Sequence, residues 1–301
     1  NGPRLYGASP GKEFMYTIPA SGARPIEFEV KNLPKGVGIN KLNGVISGTI
    51  KKAGEYTIEL VAQNKFGKVS KLFTLVIGDK LALTPPMGWS SWYSFGRNVT
   101  LDKVIRSAEI MKEKGLQNYG WSVVEIDDPW TNQPNKNDSV WRQLKSGAKE
   151  VYGYYEGPDN LPERQGEMRS SKGELLPNTF FANIKKFPSI MHEMGFKAGI
   201  YSSPGPLTCA GVAGSYGYEL VDAKFFADNG FDYFKYDWCS YGSFAKSNST
   251  EELIIFFLKF FDALKFAEYG ALQGVDRDLV RVAKDLAILE LEKLRVKIEA
   301  L

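Results

Sequence analysis

The chain has 301 residues, 43% of them hydrophobic, enough to build two ordinary domains or one large barrel with an appendage. Its 38 basic and 35 acidic residues leave a net charge of +3, too balanced for a nucleic-acid or anionic-membrane surface. One histidine and two cysteines argue against a zinc site, no pattern calls for a cofactor, and the most apolar run, 253–264, holds Lys259 and Asp262 and is too short to span a bilayer. Aromatic residues reach 13%; most of the phenylalanines serve the core, but exposed rings also suit the C–H faces of sugars.

Residues 1–79 read as a small all-β domain. Phe14–Ile18, Ile26–Val30, Tyr56–Ala62 and Lys71–Ile77 have strand character, with turn signals at Pro34-Lys35-Gly36, Leu42-Asn43-Gly44 and Asn64-Lys65-Phe66-Gly67 between them. Short strands at this spacing predict a sandwich. No polar cluster here suggests catalysis, so a spacer or docking role is expected, with glycan binding as the lesser alternative.

After a boundary at Gly78-Asp79-Lys80, the pattern changes to strand, polar tip, helix, repeated. Pro85-Pro86-Met87-Gly88 leads into a strand presenting Trp89 and Trp92. Thr100 is placed to cap a helix whose apolar positions are Val104, Ala108, Met111 and Leu116. Val123–Ile126 ends in Asp127-Asp128, and Lys197–Tyr201 ends in Ser202-Ser203. Phe231–Tyr236 reads as a buried strand that delivers Asp237 to its C-terminal end, where parallel barrels place chemistry. Residues 129–178 lack periodicity and carry Trp130, Trp141, Tyr152, Tyr154 and Tyr155, which predicts an ordered lid. A helix is expected over 183–194 despite Pro188, and another over 220–229.

Five stretches carry a resemblance: Met87-Gly88-Trp89-Ser90-Ser91-Trp92, Ile126-Asp127-Asp128, Gly199-Ile200-Tyr201, Thr208-Cys209-Ala210-Gly211 and Lys235-Tyr236-Asp237-Trp238-Cys239. In this order, at strand ends, they resemble glycoside hydrolase family 27, the α-galactosidases and α-N-acetylgalactosaminidases. Residues 1–79 in turn resemble the bacterial immunoglobulin-like modules often attached to carbohydrate enzymes. The first resemblance implies a (β/α) barrel of TIM type over 80–247 and retaining hydrolysis of α-galactosides. It implies Asp237 as nucleophile, Asp127 and Asp128 as holders of the sugar hydroxyls, and Trp89 as the ring packed against the sugar. It further implies Tyr201, Cys209 and Lys235 as substrate-site positions and a Cys209–Cys239 disulfide. A bridge suits an oxidising compartment, so a secreted or periplasmic location is expected. Many relatives carry a further cysteine after the paired aspartates; here Pro129 stands there.

The resemblance stops near Ser247. Only 64 residues follow Asp237, and no strand there ends in the Arg-x-x-x-Asp that carries the family's acid/base aspartate; Asp276, Asp278 and Asp285 sit in helix-like surroundings. Only the first half of the barrel, strands one to four, is therefore expected. Residues 248–301 read as a helical tail foreign to the family. Ala287, Leu291, Leu294, Ile298 and Leu301 recur at 4-3-4-3 spacing, which suggests a tail-mediated homodimer or a tail packed on the open edge of its own half barrel. An active glycosidase and a non-catalytic half barrel, galactoside-binding or purely structural, both remain open from sequence.

Overall fold

The computed structural model describes residues 2–78, 83–133, 161–237 and 239. The expected tail at 248–301, with its dimer contact, and the lid aromatics Trp141, Tyr152, Tyr154 and Tyr155 lie outside the described residues.

Seven strands build the first unit: β1 (Leu5–Ala8), β2 (Glu13–Thr17), β3 (Glu27–Lys31), β4 (Val37–Ile39), β5 (Val45–Thr49), β6 (Gly54–Asn64) and β7 (Gly67–Ile77). They form two sheets, ordered β1-β7-β6-β3 and β2-β5-β4. Strand alternation explains the packing. Phe73, Leu75 and Ile77 on β7 and Ile58 and Leu60 on β6 point one way and are buried. Phe14 and Tyr16 on β2 and Ile46 on β5 meet them from the other sheet. The β6–β7 turn closes as its residues suggest, with Asn64 Oδ1 accepting from Phe66 N at 2.9 Å.

The second unit begins with β8 (Gly88–Ser90) and continues through β9 (Val123–Ile126), β10 (Lys197–Ser202) and β11 (Tyr233–Tyr236). All four pair in parallel, in chain order. This is part of a β/α barrel, with its helices on one face. The helices are a single turn, α1 (Trp92–Phe95), then α2 (Leu101–Glu113), α3 (Phe187–Met194) and α4 (Glu219–Asp228). Helix α2 is capped by Thr100, whose hydroxyl accepts from Lys103 N, and it buries Leu101, Val104, Ala108 and Met111 along one stripe. That stripe packs with Val124, Ile126, Ala198 and Ile200 in one core.

Three expectations need correction. Leu116 is not on α2; Gly115, at φ +70°, ends the helix first. Pro188 does not interrupt a helix. The segment from Ile184 is a 3-10 turn, and Pro188 falls in the first turn of α3, where a missing N–H costs nothing. Trp130 is no lid residue either. It is 2% exposed, stacks on Phe225 with centroids 6.1 Å apart, and donates from Nε1 to Tyr201 O at 2.9 Å. The described flanks of that long segment are pinned by Arg169. Its guanidinium donates to both Asp222 oxygens, at 2.6 and 2.7 Å, and to the carbonyls of Gly173 and Gly214. This bidentate pair, buried on the Asp222 side, fixes these loops against α4.

The two units touch at the foot of the parallel sheet. Thr17 Oγ1 donates to Gly195 O at 2.8 Å, and Lys197 Nζ donates to Tyr6 OH at 2.6 Å. Arg24 bonds Asn118 beside them. Lys197 opens β10, so the sandwich sits at the N-terminal ends of the strands, away from the aspartates.

Candidate active site

Strand register stacks the site in layers. Ser90, Glu125, Gly199 and Tyr233 share one row across the sheet. Two residues higher, Tyr201 pairs with Lys235. Asp127 follows the last residue of β9, and Asp237 follows the last residue of β11. Adjacent residues on a regular strand face opposite ways. Asp127 and Asp128 escape that alternation because the strand has ended at Ile126.

Lys235 is the hub. Its ammonium donates to Asp127 Oδ2 at 2.8 Å, lies 3.9 Å from Asp237 Oδ2, and stands 5.0 Å from the Tyr201 ring centroid. Burial pulls the Lys235 ammonium down. The hydrogen bond and charge of Asp127, with Glu125 and Asp237 behind it, outweigh that, and the net shift is upward. The cation is thus secure at neutral pH. Asp127 is nearly buried, while the Asp237 side chain is 45% exposed and reachable from solvent.

Asp127 is held from all sides. Its N–H donates to Ser91 Oγ at 2.8 Å, Oδ1 accepts from Asp128 N at 2.8 Å, and Oδ2 accepts from Ser90 Oγ at 3.0 Å besides Lys235. Asp128 faces the loop after β10, accepting from Thr208 Oγ1 at 2.9 Å and from Ala210 N at 2.6 Å. Burial pushes its carboxyl up to about 7, against the pull of those two donors. Each carboxylate oxygen has two lone pairs, so both aspartates can still accept from a ligand hydroxyl. Asp128 also anchors the 208–210 loop, a structural duty it performs without ligand.

Cys209 and Cys239 form the expected disulfide, with Cα atoms 5.0 Å apart, tying the loop after β10 to the end of β11. Asp237 lies beside the bridge, and the joined sulfurs leave no thiolate for a metal there. Tyr201 OH is 3.4 Å from Cys239 Sγ, and burial followed by the charges of Asp128, Asp237 and Asp127 raises its phenol above the ordinary value. Trp89 lines a cleft with Ser90, Glu125, Tyr233 and Lys235. Its indole packs edge-on to Phe95 and its Nε1 donates to Ser94 Oγ at 3.1 Å. Trp92, in α1, is 39% exposed.

The site residues expected from sequence therefore converge, with Trp89 set at the cleft wall. Sequence reading missed Ser90, Ser91 and Glu125, which orient or neighbour Asp127, and the donors of Thr208 and Ala210. Ser90 and Glu125 could have been found: they share strand parity with Gly88 and Asp127.

Comparisons with known proteins bear on the family of the chain. Residues 143–254 match the family described as "Alpha galactosidase A", and residues 1–78 the family described as "Putative Ig domain". "Alpha-galactosidase 3" of Arabidopsis thaliana is 32% identical over 216 residues, which is 67% of this chain and 41% of that protein. "Alpha-galactosidase A" of Cellvibrio japonicus is 35% identical over 162 residues, 54% of this chain and 32% of that protein. A solved Bacteroides fragilis protein titled a "putative alpha-galactosidase" superposes with a TM-score of 0.71 at 36% identity, over 88% of this chain and 49% of its own. The chain thus spans about half or less of the length of the relatives it matches. Behind an immunoglobulin-like module, it carries part of the α-galactosidase-type barrel of glycoside hydrolase family 27.

Proposed function

We propose that the chain acts on terminal α-galactosyl residues of oligosaccharides or polysaccharides by a retaining mechanism, with Asp237 as nucleophile. The observation that carries this reading is the line Asp127–Lys235–Asp237 at the C-terminal ends of β9 and β11. In a retaining glycosidase a carboxylate attacks the anomeric carbon, the bond to the leaving oxygen breaks, and a second carboxyl about 5 Å away supplies that oxygen's proton. The Lys235 ammonium lies 3.9 Å from the Asp237 carboxylate that would attack. Asp127 and Asp128 accept hydrogen bonds from ring hydroxyls, Tyr201 and Trp89 bound the sugar, and the Cys209–Cys239 bridge fixes the loop beside it. The bridge also fits a secreted or periplasmic protein. No described helix is long and apolar enough to cross a membrane.

A nitrophenyl α-galactoside separates this reading from its alternative, a non-catalytic half barrel that binds galactosides or is structural. Its leaving group needs no proton, so Asp237 alone gives a burst of phenolate. A burst supports the glycosidase; galactose binding with no burst supports the binding module.

A further inference from the structure

Beneath the aspartates lies a carboxyl that the proposed chemistry does not use. Glu125 stands on β9 two residues before Asp127, on the same face, and is 3% exposed. A glutamate is rarely buried so completely without a cation of its own. Room is made for it deliberately: Gly199 lies directly across on β10, and a Cβ there would stand 2.8 Å from the Glu125 Cβ. The Glu125 carboxyl reaches Ser90 and Asp127, while its Oε1 has no partner among the described residues.

The donors do not suffice for the acceptors. Ser90 has one proton and gives it to Asp127 Oδ2 at 3.0 Å. Lys235 also donates to that oxygen. From β11, Lys235 is the only cation facing the cluster, and Tyr233 is the other titratable group; β10 brings Tyr201 and, two residues below Gly199, Lys197, whose ammonium is turned away to Tyr6 OH at 2.6 Å; β8 brings none. Tyr93 lines the same cleft, and Asp128 is turned to the 208–210 loop. Among the described residues, the Lys235 ammonium is therefore the cation that Glu125 and Asp127 share, and it also lies 3.9 Å from Asp237. Two carboxyls in hydrogen-bonding contact do not both ionise; one keeps a proton and donates it to the other.

We propose that Glu125 holds the proton of a Glu125–Asp127 carboxyl pair and acts as a positioning residue, its neutral form leaving Lys235 to Asp127 and Asp237. When Glu125 ionises it competes for Lys235 and draws the ammonium down the barrel, away from Asp237. Burial, then the charge of Asp127, pushes the Glu125 carboxyl up to about 8. It is neutral below that pH and charged above it. The consequence for ligand rests on the galactoside reading; the proton itself does not.

The test is made on the full chain carrying glutamate labelled with carbon-13 at the side-chain carboxyl, which separates Glu125 from the raised Asp128. One glutamate signal should titrate near pH 8, far from the ordinary value of about 4.3, and should vanish in Glu125→Gln. In parallel, galactose affinity of the wild type should fall several-fold above that pH, and Glu125→Gln, fixed in the neutral shape, should lose the fall. Every glutamate signal titrating below about pH 6 overturns the proposal. So does an alkaline fall that survives in Glu125→Gln. Should that variant not fold, the wild-type titration decides alone. Galactose binding at no pH would sink the galactoside reading, while the labelled carboxyl would still confirm or refute the pair.

Discussion

The sandwich and the barrel segment use polar side chains in opposite ways. Every buried polar or charged residue among those described belongs to the barrel segment, from Ser91 to Asp222; the sandwich has none. Its core is Phe14, Tyr16, Ile46, Ile58, Phe73 and their neighbours, with the Tyr16 hydroxyl the one buried polar group lacking a partner there. Burying a charge is costly unless it is paired, so a stretch that buries Glu125, Asp127, Asp128, Arg164 and Asp222 is built for something beyond stability. A stretch that buries only apolar groups is built to be folded. The difference places chemistry in one unit and support in the other, and the contacts at the foot of β10 agree, because they leave the strand tops open.

The sharpest way to break that division is at Asp237. Asp237→Asn should lower turnover of a nitrophenyl α-galactoside by at least about a thousandfold, because the attacking charge is gone while the shape remains. The side chain is 45% exposed, so the melting temperature should hold. Unchanged turnover refutes the nucleophile assignment; a large loss of stability would mean that site and scaffold are not separable.

The reverse experiment is Phe73→Ala. This ring is 0% exposed and lies 4.6 Å from the Tyr16 ring. Truncation should cost the sandwich about 3–5 kcal/mol, read as a lower urea midpoint, with galactose affinity unchanged. Affinity lost in step with stability would show the sandwich contributing to the site.

How far sequence foretold each unit follows from the same contrast. The sandwich strands were legible because alternation and turn chemistry are local; Asn64 closing its own turn is an example. The β9 boundary was legible because four apolar or buried positions end abruptly in two aspartates. The site's hub was only half legible. Lys235 and Asp237 are two residues apart, but Lys235 and Asp127 are 108 apart, and only sheet register joins them. Trp130 misled for the same reason. Its partner Phe225 lies on a helix nearly a hundred positions away, so nothing local distinguishes it from a lid aromatic.

A smaller effect sharpens the two duties of Asp128. Asp128→Ala should weaken galactose binding by roughly 1.5–3 kcal/mol, the range for a lost charged hydrogen bond, measured by calorimetric titration. It also strips Thr208 Oγ1 and Ala210 N of their acceptor. Thr208→Val touches the loop and leaves the carboxylate in place. If both variants lose equal affinity, Asp128 acts by holding the loop; if Asp128→Ala loses far more, it acts on the sugar.

The smallest expected effect lies where the two units meet. His192 Nε2 is 2.7 Å from Asp232 Oδ2, and the side chains are 37% and 26% exposed. The hydrogen bond to Asp232 raises the imidazole above its ordinary value, burial opposes it, and the charges of Asp232 and of Glu13 on the sandwich add to it. A raised folded value means that the stabilisation is complete below the unfolded value of about 6.5 and disappears as pH climbs through the folded one. The pair is partly exposed and screened, so its contribution stays below about 1 kcal/mol. Asp232 also accepts from Ala198 N at 2.8 Å, so losing the histidine proton does not strand it. The urea midpoint should therefore slip slightly from about pH 6 to about pH 8, and His192→Gln should flatten that part of the slope. Glu125 and Asp128 titrate in the same window in both proteins, so the difference between the two curves isolates His192. Glu13→Gln should remove a fraction of that difference, since only its charge acts, and from the other unit. Identical curves for wild type and His192→Gln would show that the His192 charge adds nothing at the foot of the barrel, and the contact there would then rest on Thr17, Lys197 and Tyr6 and on the Arg24–Asn118 bond.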